Sequence, residues 1–212
     1  MAMLDDSKCL LRPMNMQRHD LLKSLNCDGR LGMALLAALA VPWLLFAGGP
    51  AWTDALRYER AALEGGQCWR LISAHWVHLS LQHLLLDSAA LVLLWVLYAR
   101  DLRAWQWLGV WIGATAAIDA GLWWAQPQVH WYMGLSGLLH GAWAAGAAAI
   151  GRRQGRWGWL MLAVLALKLL LEQRAGGSLL ITQFPVVSMA HVYGALGGLG
   201  GYVALALPRK RL

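Results

Sequence analysis

Two short segments carry the residues best suited to covalent chemistry. Ser136 stands between Gly134 and Gly137 at the start of one apolar stretch, and His191 stands in a second apolar stretch near the end of the chain. A serine attacks a carbonyl carbon when a histidine takes its proton, so the pair fits acyl transfer with Ser136 as nucleophile and His191 as general base. An unpaired polar group in hydrocarbon costs several kcal/mol, so polar residues at these positions are expected to have a function.

Both residues also have a plain structural interpretation. The backbone N–H groups at a helix start are free and the helix dipole is positive there, which favours an oxyanion at Ser136. On local sequence alone, a serine at this position is more often a helix cap or packing residue. His191 would alternatively bond to a loop group. The segment is not the Gly-x-Ser-x-Gly motif of soluble hydrolases, because Leu138 occupies the last glycine position.

A second group of polar residues, the densest in the chain, contains His75, His78, His83 and Asp87. His83 and Asp87 are four residues apart and therefore share one face of a helix. Two interpretations are open. In one, His83 donates a hydrogen bond to an oxyanion beside the Ser136 N–H; in the other, His78, His83 and Asp87 bind zinc. The spacing differs from His-Glu-x-x-His, which weakens the metal interpretation.

Three further polar residues lie in apolar stretches. His140 follows Ser136 by one helical turn, where it would pack beneath His191 or titrate with it. Lys168 and Glu172 form an i,i+4 pair near the end of another stretch. They would either pair and extend toward the membrane surface or contact substrate.

The elements that must position these residues are membrane helices. Hydrophobic residues make up 59% of the 212 residues, charged residues only 14%, and the mean hydropathy is +0.47. This composition predicts an all-α membrane protein, because a span needs about 20 apolar residues. Six spans are predicted, at Leu31–Leu45, Leu79–Leu97, Leu102–Trp124, Ser136–Ile150, Trp157–Leu171 and Val187–Leu207. The connection from Ala47 to about Leu79 holds Pro50, Gly65, Gly66 and several charges, and it is predicted to be one long loop.

The basic residues predict the orientation. Thirteen of the eighteen lie before span one, between spans two and three, between spans four and five, or after span six. By the positive-inside rule both termini are cytoplasmic. The predicted organisation is a cytoplasmic N-terminal segment over residues 1–30, a membrane domain over 31–207 and a basic tail over 208–212. The net charge of +7 is thereby explained without nucleic-acid binding.

The spans also predict that the reactive residues meet. Ser136, His83 and His191 all lie near the outer ends of spans four, two and six, so they share one depth. Small residues four apart let membrane helices approach closely. Spans four and six each carry such a pair, namely Gly137 with Gly141 and Gly194 with Gly198.

With these residues assembled, the chain resembles the rhomboid family of intramembrane serine proteases over roughly residues 55–205. Three blocks carry the resemblance: Trp69-Arg70 followed by His78 and His83, Gly134-x-Ser136-Gly137-x-x-x-Gly141, and Ala190-His191-x-x-Gly194-x-x-x-Gly198. The resemblance implies a six-helix bundle, a Ser136–His191 dyad with no third acid, and no metal or organic cofactor. It also implies an oxyanion hole at the Ser136 N–H, next to Gly137, completed by His83 and residue 87.

Two positions depart from the family pattern. The family typically has asparagine where this chain has Asp87, and an ionised carboxylate there would repel an oxyanion. Asp87 is therefore expected to be protonated, or to serve another task such as orienting His83. The family often has an aromatic residue one turn after the serine, where this chain has His140.

The block Tyr58-Glu59-Arg60…Gly65…Trp69-Arg70-Leu71 looks most like the rhombosortase subgroup. That subgroup is associated with bacterial proteins that carry a C-terminal Gly-Gly motif, a transmembrane helix and a basic tail. The resemblance implies an inner-membrane protease that opens toward the periplasm and cleaves a single-span membrane protein near small residues. Its partners would be that substrate and the bilayer, with no nucleic acid. The alternatives are an inactive relative that binds membrane clients and a zinc-dependent protein using His78, His83 and Asp87.

Overall fold

The computed structural model describes residues 18–177 and 186–206. Most of the predicted N-terminal segment and all of the predicted tail lie outside these residues. Within them, six helices have 17 or more residues and correspond in position to the six predicted spans. They are α2 (Gly29–Ala47), α6 (Leu81–Tyr98), α7 (Ala104–Ala120), α8 (Ser136–Gln154), α9 (Arg156–Ala175) and α10 (Ser188–Ala206).

Shorter elements complete the described chain. Helix α1 (Arg18–Ser24) precedes α2, and a π-helical turn (Gly121–Ala125) extends α7. The segment between α2 and α6, predicted as one long loop, instead contains α3 (Gly49–Leu56), β1 (Tyr58–Glu59), α4 (Arg60–Glu64), α5 (Arg70–Ser73) and a 3-10 turn (Ala74–Trp76). Strand β1 pairs antiparallel with β2 (Trp131–Tyr132), with Tyr58 opposite Tyr132.

Three of the described helices are long and apolar enough to cross a membrane. They are Gly29–Ala47, Leu81–Tyr98 and Ala104–Ala125, the last including the π-helical turn. Helix α8 is instead rich in alanine and glycine, and most of its residues are buried among the other helices. A helix surrounded by protein needs small side chains for close packing, so its hydropathy is lower than that of a lipid-facing helix.

Helix α10 packs between α7 and α8, and glycines line both of its faces. A Cβ atom at Gly194 would lie 2.0 Å from the carbonyl oxygen of Gly137 on α8. A Cβ atom at Gly201 would lie 2.0 Å from the carbonyl oxygen of Gly109 on α7. Only glycine permits backbones to come this close. The start of α8 and the start of α10 are thereby brought side by side.

Two arginines hold the segment between α2 and α6: Arg60 joins it to the bundle, and Arg70 binds groups within the segment itself. The Arg60 guanidinium donates to the carbonyl groups of Leu122, Trp123 and Gln126 at the end of the π-helical turn. Arg70 donates to the carbonyl groups of Asp54 and Arg57 and to the side chain of Gln67. These bonds satisfy backbone groups that leave helical geometry, as a segment near a bilayer requires.

Two ion pairs connect the start of α2, the segment after α6 and the end of α8, at the end of the bundle opposite Ser136. Arg100, which follows α6, pairs with Asp28 at the start of α2. Arg153, at the end of α8, pairs with Asp101 at 3.1 Å. Two of the basic residues on which the orientation prediction rests, Arg100 and Arg153, therefore lie at this end of the described structure.

Candidate active site

Three neighbouring helices, with α9 antiparallel to α8 and α10, bring their reactive residues to one end of the bundle. Helix α8 begins at Ser136, α9 carries Glu172 in its last turn, and α10 carries His191 in its first turn. A tight turn at Gly155 joins α8 to α9 with a φ of 69°, a left-handed conformation that favours glycine. This order of helices places the end of α9 beside the starts of α8 and α10.

Ser136 and His191 form a direct hydrogen bond between α8 and α10. The Ser136 Oγ lies 2.9 Å from the His191 Nε2. His191 is 5% exposed, whereas Ser136 is only partly buried, so the hydroxyl remains reachable. A hydroxyl hydrogen bonded to an imidazole nitrogen can lose its proton to that nitrogen as it attacks a carbonyl carbon.

A carboxylate contacts the other nitrogen of the same histidine. The Glu172 Oε2 lies 2.9 Å from the His191 Nδ1, and Glu172 is 1% exposed. The structure differs here from the resemblance, which implied a serine–histidine pair without an acid. The family pattern has no position for this contact, because it arises from a side chain on α9 that lies outside the three matching blocks.

His140 and Lys168 complete this cluster. The His140 ring stacks on that of His191, with centroids 4.1 Å apart and an interplanar angle of 12°. Its Nδ1 lies 2.7 Å from the carbonyl oxygen of Ser136. The Lys168 Nζ lies 2.6 Å from the Glu172 Oε1 and 2.8 Å from the His140 Nε2. The i,i+4 pair predicted on α9 is thus joined to both histidines.

A second buried cluster lies next to the first and is centred on Asp87. The Asp87 Oδ2 accepts a hydrogen bond from the backbone N–H of Leu135 at 3.0 Å, immediately before Ser136. The same oxygen lies 3.0 Å from the His78 Nε2 and 3.4 Å from the His83 Nε2. Asp87 therefore holds two histidines and the backbone that enters α8, which is the orienting task considered for it above.

The structure brings the three predicted zinc ligands together. The candidate ligand atoms of His78, His83 and Asp87 all lie within 4.8 Å. Both histidine nitrogens lie within about hydrogen-bond range of a carboxylate oxygen that already accepts a backbone N–H. The contact of His78 with Asp87 is a hydrogen bond, whereas the His83 Nε2 lies farther from the same oxygen.

Glycine at position 134 determines how close His83 comes to the serine. Gly134 has a φ of +121°, and a Cβ atom there would lie 2.6 Å from the His83 Nε2. The Tyr132 hydroxyl donates to the Gly134 carbonyl at 3.2 Å, and burial raises the pKa of Tyr132, which keeps it a donor. A Cβ atom at Gly137 would meet Ile118 at 2.7 Å, so this glycine packs against α7.

Asp87→Asn is expected to preserve most of any activity that depends on Ser136. The asparagine oxygen can take the place of Oδ2 and accept the Leu135 N–H, at a cost of about 1 kcal/mol for the lost charge. We expect a rate within about tenfold of wild type, measured as labelling of Ser136 by a fluorophosphonate probe. Asp87→Ala should lose far more, because the N–H is left buried and unpaired. Complete loss in Asp87→Asn would show that the charge itself is required.

The structure places the residues predicted for the site in one of these two clusters or against them, except His75, whose Nε2 lies 3.3 Å from the Asp119 Oδ1. Ser136, His191, His140, Lys168 and Glu172 form the first cluster. Gly141 lies against Gly194 and Gly198, where added Cβ atoms would approach the neighbouring backbone within 2.7 Å. The contact between Glu172 and His191 was not predicted. The sequence feature that could have indicated it is the depth of Glu172, because Glu172 and Ser136 lie near the same membrane surface in the predicted spans.

Comparison with known proteins identifies the family of this chain. The family model described as "Rhomboid domain" matches residues 65–207, about two thirds of the chain. A protein of Bacillus subtilis (strain 168) with the name "Putative rhomboid protease YdcA" is 24% identical over 178 residues, covering 77% of this chain and 82% of the relative. The match contains α6 to α10 and every residue of the two clusters. The chain is a membrane protein that belongs to the rhomboid family.

Proposed function

We propose that this protein is an intramembrane serine endopeptidase with Ser136 as nucleophile and His191 as general base. The observation that carries the proposal is the 2.9 Å contact between the Ser136 Oγ and the His191 Nε2. Membership of the rhomboid family supports the same activity, since the match spans both residues.

The reaction follows from that contact. The Ser136 oxygen attacks the carbonyl carbon of a peptide bond while the His191 Nε2 takes the hydroxyl proton. His191 then protonates the leaving amine as the carbon–nitrogen bond breaks, which leaves an ester on Ser136. Water, deprotonated by His191, attacks the ester and restores the serine. An amine from another molecule would accept the acyl group in the same way.

The oxyanion would be stabilised beside Ser136. The N–H groups of the first turn of α8 have no partner within the helix, and the positive end of the helix dipole lies there. The His83 ring packs against Gly134, two residues before Ser136. We infer that the Ser136 N–H and His83 donate to the oxyanion, with Asp87 holding His83 in position.

The proposed setting is the bacterial inner membrane, crossed by all six long helices with both termini in the cytoplasm. The ion-paired basic end of the bundle supports this orientation, because basic residues favour the cytoplasmic side. Ser136 then lies near the periplasmic end. The substrate would be a single-span protein cleaved near small residues, which unwind from a helix at low cost. By resemblance to the rhombosortase subgroup, proteins with C-terminal Gly-Gly sorting signals are the proposed class.

Ser136→Ala is expected to abolish cleavage of a single-span reporter in membranes. The reporter would carry a Gly-Gly segment, a membrane helix and a basic tail, and products would be detected by immunoblot and mass spectrometry. Ser88→Ala on α6 is the matched control. The Ser88 hydroxyl accepts a hydrogen bond from the Trp43 Nε1 and lies in neither cluster. Unchanged cleavage by folded Ser136→Ala would refute the proposal, and sensitivity to chelators would redirect attention to His78, His83 and Asp87.

A further inference from the structure

We propose that Glu172 is a positioning residue that makes the Ser136–His191 pair into a serine–histidine–acid triad, held in place by Lys168. The inference rests on the proposed protease function and assigns a role to an acid that the family pattern does not include. The sequence position of Glu172 left two alternatives open, pairing with Lys168 or contact with substrate. Its 1% exposure and its bonds to His191 and Lys168 point instead to a role behind the histidine.

The bonding partners define one consistent arrangement of protons. A carboxylate is only an acceptor, so the His191 Nδ1 donates to the Glu172 Oε2, and the His191 Nε2 is left to accept from the Ser136 hydroxyl. This is the tautomer that a general base requires. When the serine proton arrives on Nε2, the adjacent carboxylate stabilises the imidazolium.

The second histidine has a defined arrangement for the same reason. An ammonium group only donates, so the His140 Nε2 accepts from Lys168 while its Nδ1 donates to the Ser136 carbonyl. A neutral ring is therefore stacked on His191, where a second cation would oppose formation of the imidazolium. Lys168 also balances the charge of Glu172, whose burial alone would be costly.

Glutamine at position 172 should place the proton of His191 on the wrong nitrogen. Lys168 would hold the amide oxygen toward its ammonium group, as it now holds Oε1. The amide NH2, a donor, would then face the His191 Nδ1, which must become an acceptor. Nε2 would carry the proton and could not accept another from Ser136. Removing Lys168 should release this constraint, because the amide can turn its oxygen toward Nδ1.

The experiment compares Glu172→Gln, Lys168→Met/Glu172→Gln and Lys168→Met/Glu172→Leu in the full-length protein in membranes. Glu64→Gln, an exposed acid on α4, is the control. Reporter cleavage gives kcat and KM, fluorophosphonate labelling gives the reactivity of Ser136, and thermal unfolding reports the fold. The two double variants both lack the charge pair, so neither leaves an unpaired buried charge. They differ in whether residue 172 offers an oxygen to His191.

Glu172→Gln is expected to lower kcat by about 10²- to 10⁴-fold with little change in KM. Lys168→Met/Glu172→Gln should recover at least about tenfold over it and exceed the leucine double variant by a similar factor. If Glu172→Gln does not fold, the comparison of the two double variants decides alone. Equal rates in the two double variants, or a folded Glu172→Gln within about threefold of wild type, would overturn the inference. Absence of activity in wild type would instead refute the proposed function.

Discussion

His191→Ala is expected to reduce both reporter cleavage and probe labelling to the level of Ser136→Ala. The imidazole is the only proton acceptor that the described structure places on the Ser136 hydroxyl, at 2.9 Å. Without it the attacking oxygen must keep its proton or release it to water. We expect a loss on the order of 10⁴-fold or more, as is typical when one member of such a unit is removed.

The double variant Ser136→Ala/His191→Ala sharpens this prediction. Groups that act as a unit are not additive, so the double variant should be no less active than either single variant. His130→Ala is the matched control, because His130 is exposed and lies outside both clusters. Labelling of Ser136 at a near wild-type rate in His191→Ala would mean that another group activates the serine.

Gly194→Val is expected to destroy the site by separating α8 from α10. A Cβ atom at position 194 would lie 2.0 Å from the Gly137 carbonyl oxygen, one residue after Ser136. Backbone atoms cannot move aside as a flexible side chain can, so the two helices must part. The expected cost is about 3 kcal/mol or more of the free energy of unfolding, together with loss of activity. Thermal unfolding in detergent and probe labelling would measure the two effects.

Gly200→Val provides the control on the same helix. Gly200 is exposed, and nothing lies within 4 Å of its Cβ position. Valine at this position should leave labelling and unfolding temperature nearly unchanged, since its helix propensity is no lower than that of glycine. Comparable damage from both substitutions would show that glycine flexibility, and not close packing, is what α10 requires.

Much of the first cluster could be predicted from the sequence because its signals are local. Glycines four residues apart indicate which helix faces approach, and the positions of Ser136 and His191 near the outer ends of their spans indicate a common depth. The structure brings both residues together on the glycine-lined faces of α8 and α10. The chemistry of serine and histidine suggested the roles of nucleophile and base, and the resemblance to the rhomboid family supported them; periodicity alone could not.

Two contacts, that of Glu172 with His191 and that of Asp87 with the Leu135 N–H, could not be predicted in the same way. Each joins side chain or backbone groups on different elements of the chain, at separations of 19 and 48 residues. Hydrophobic periodicity shows which face of a helix is buried but not which helix lies opposite it. For Asp87 the sequence left two tasks open, protonation or orientation. The Leu135 N–H and two histidines around one oxygen favour orientation.

In the segment between α2 and α6, tertiary contacts again determine structure that the sequence pattern does not predict. Its glycines, proline and charges predicted a loop, and several short helices form instead. Arg60 and Arg70 bind backbone carbonyl groups distant in sequence, and such tertiary bonds override local propensity. The order of the helices, by contrast, followed from the apolar runs.

The most direct test of the proposed activity is to identify the residue that a fluorophosphonate modifies in the folded, membrane-embedded protein. Peptide mass spectrometry of the labelled wild type should place the modification on Ser136. Ser136→Ala and His191→Ala, shown to be folded by thermal unfolding, should remain unlabelled. Failure of the folded wild type to react, or modification of a different residue in all three proteins, would contradict an activated serine at this position.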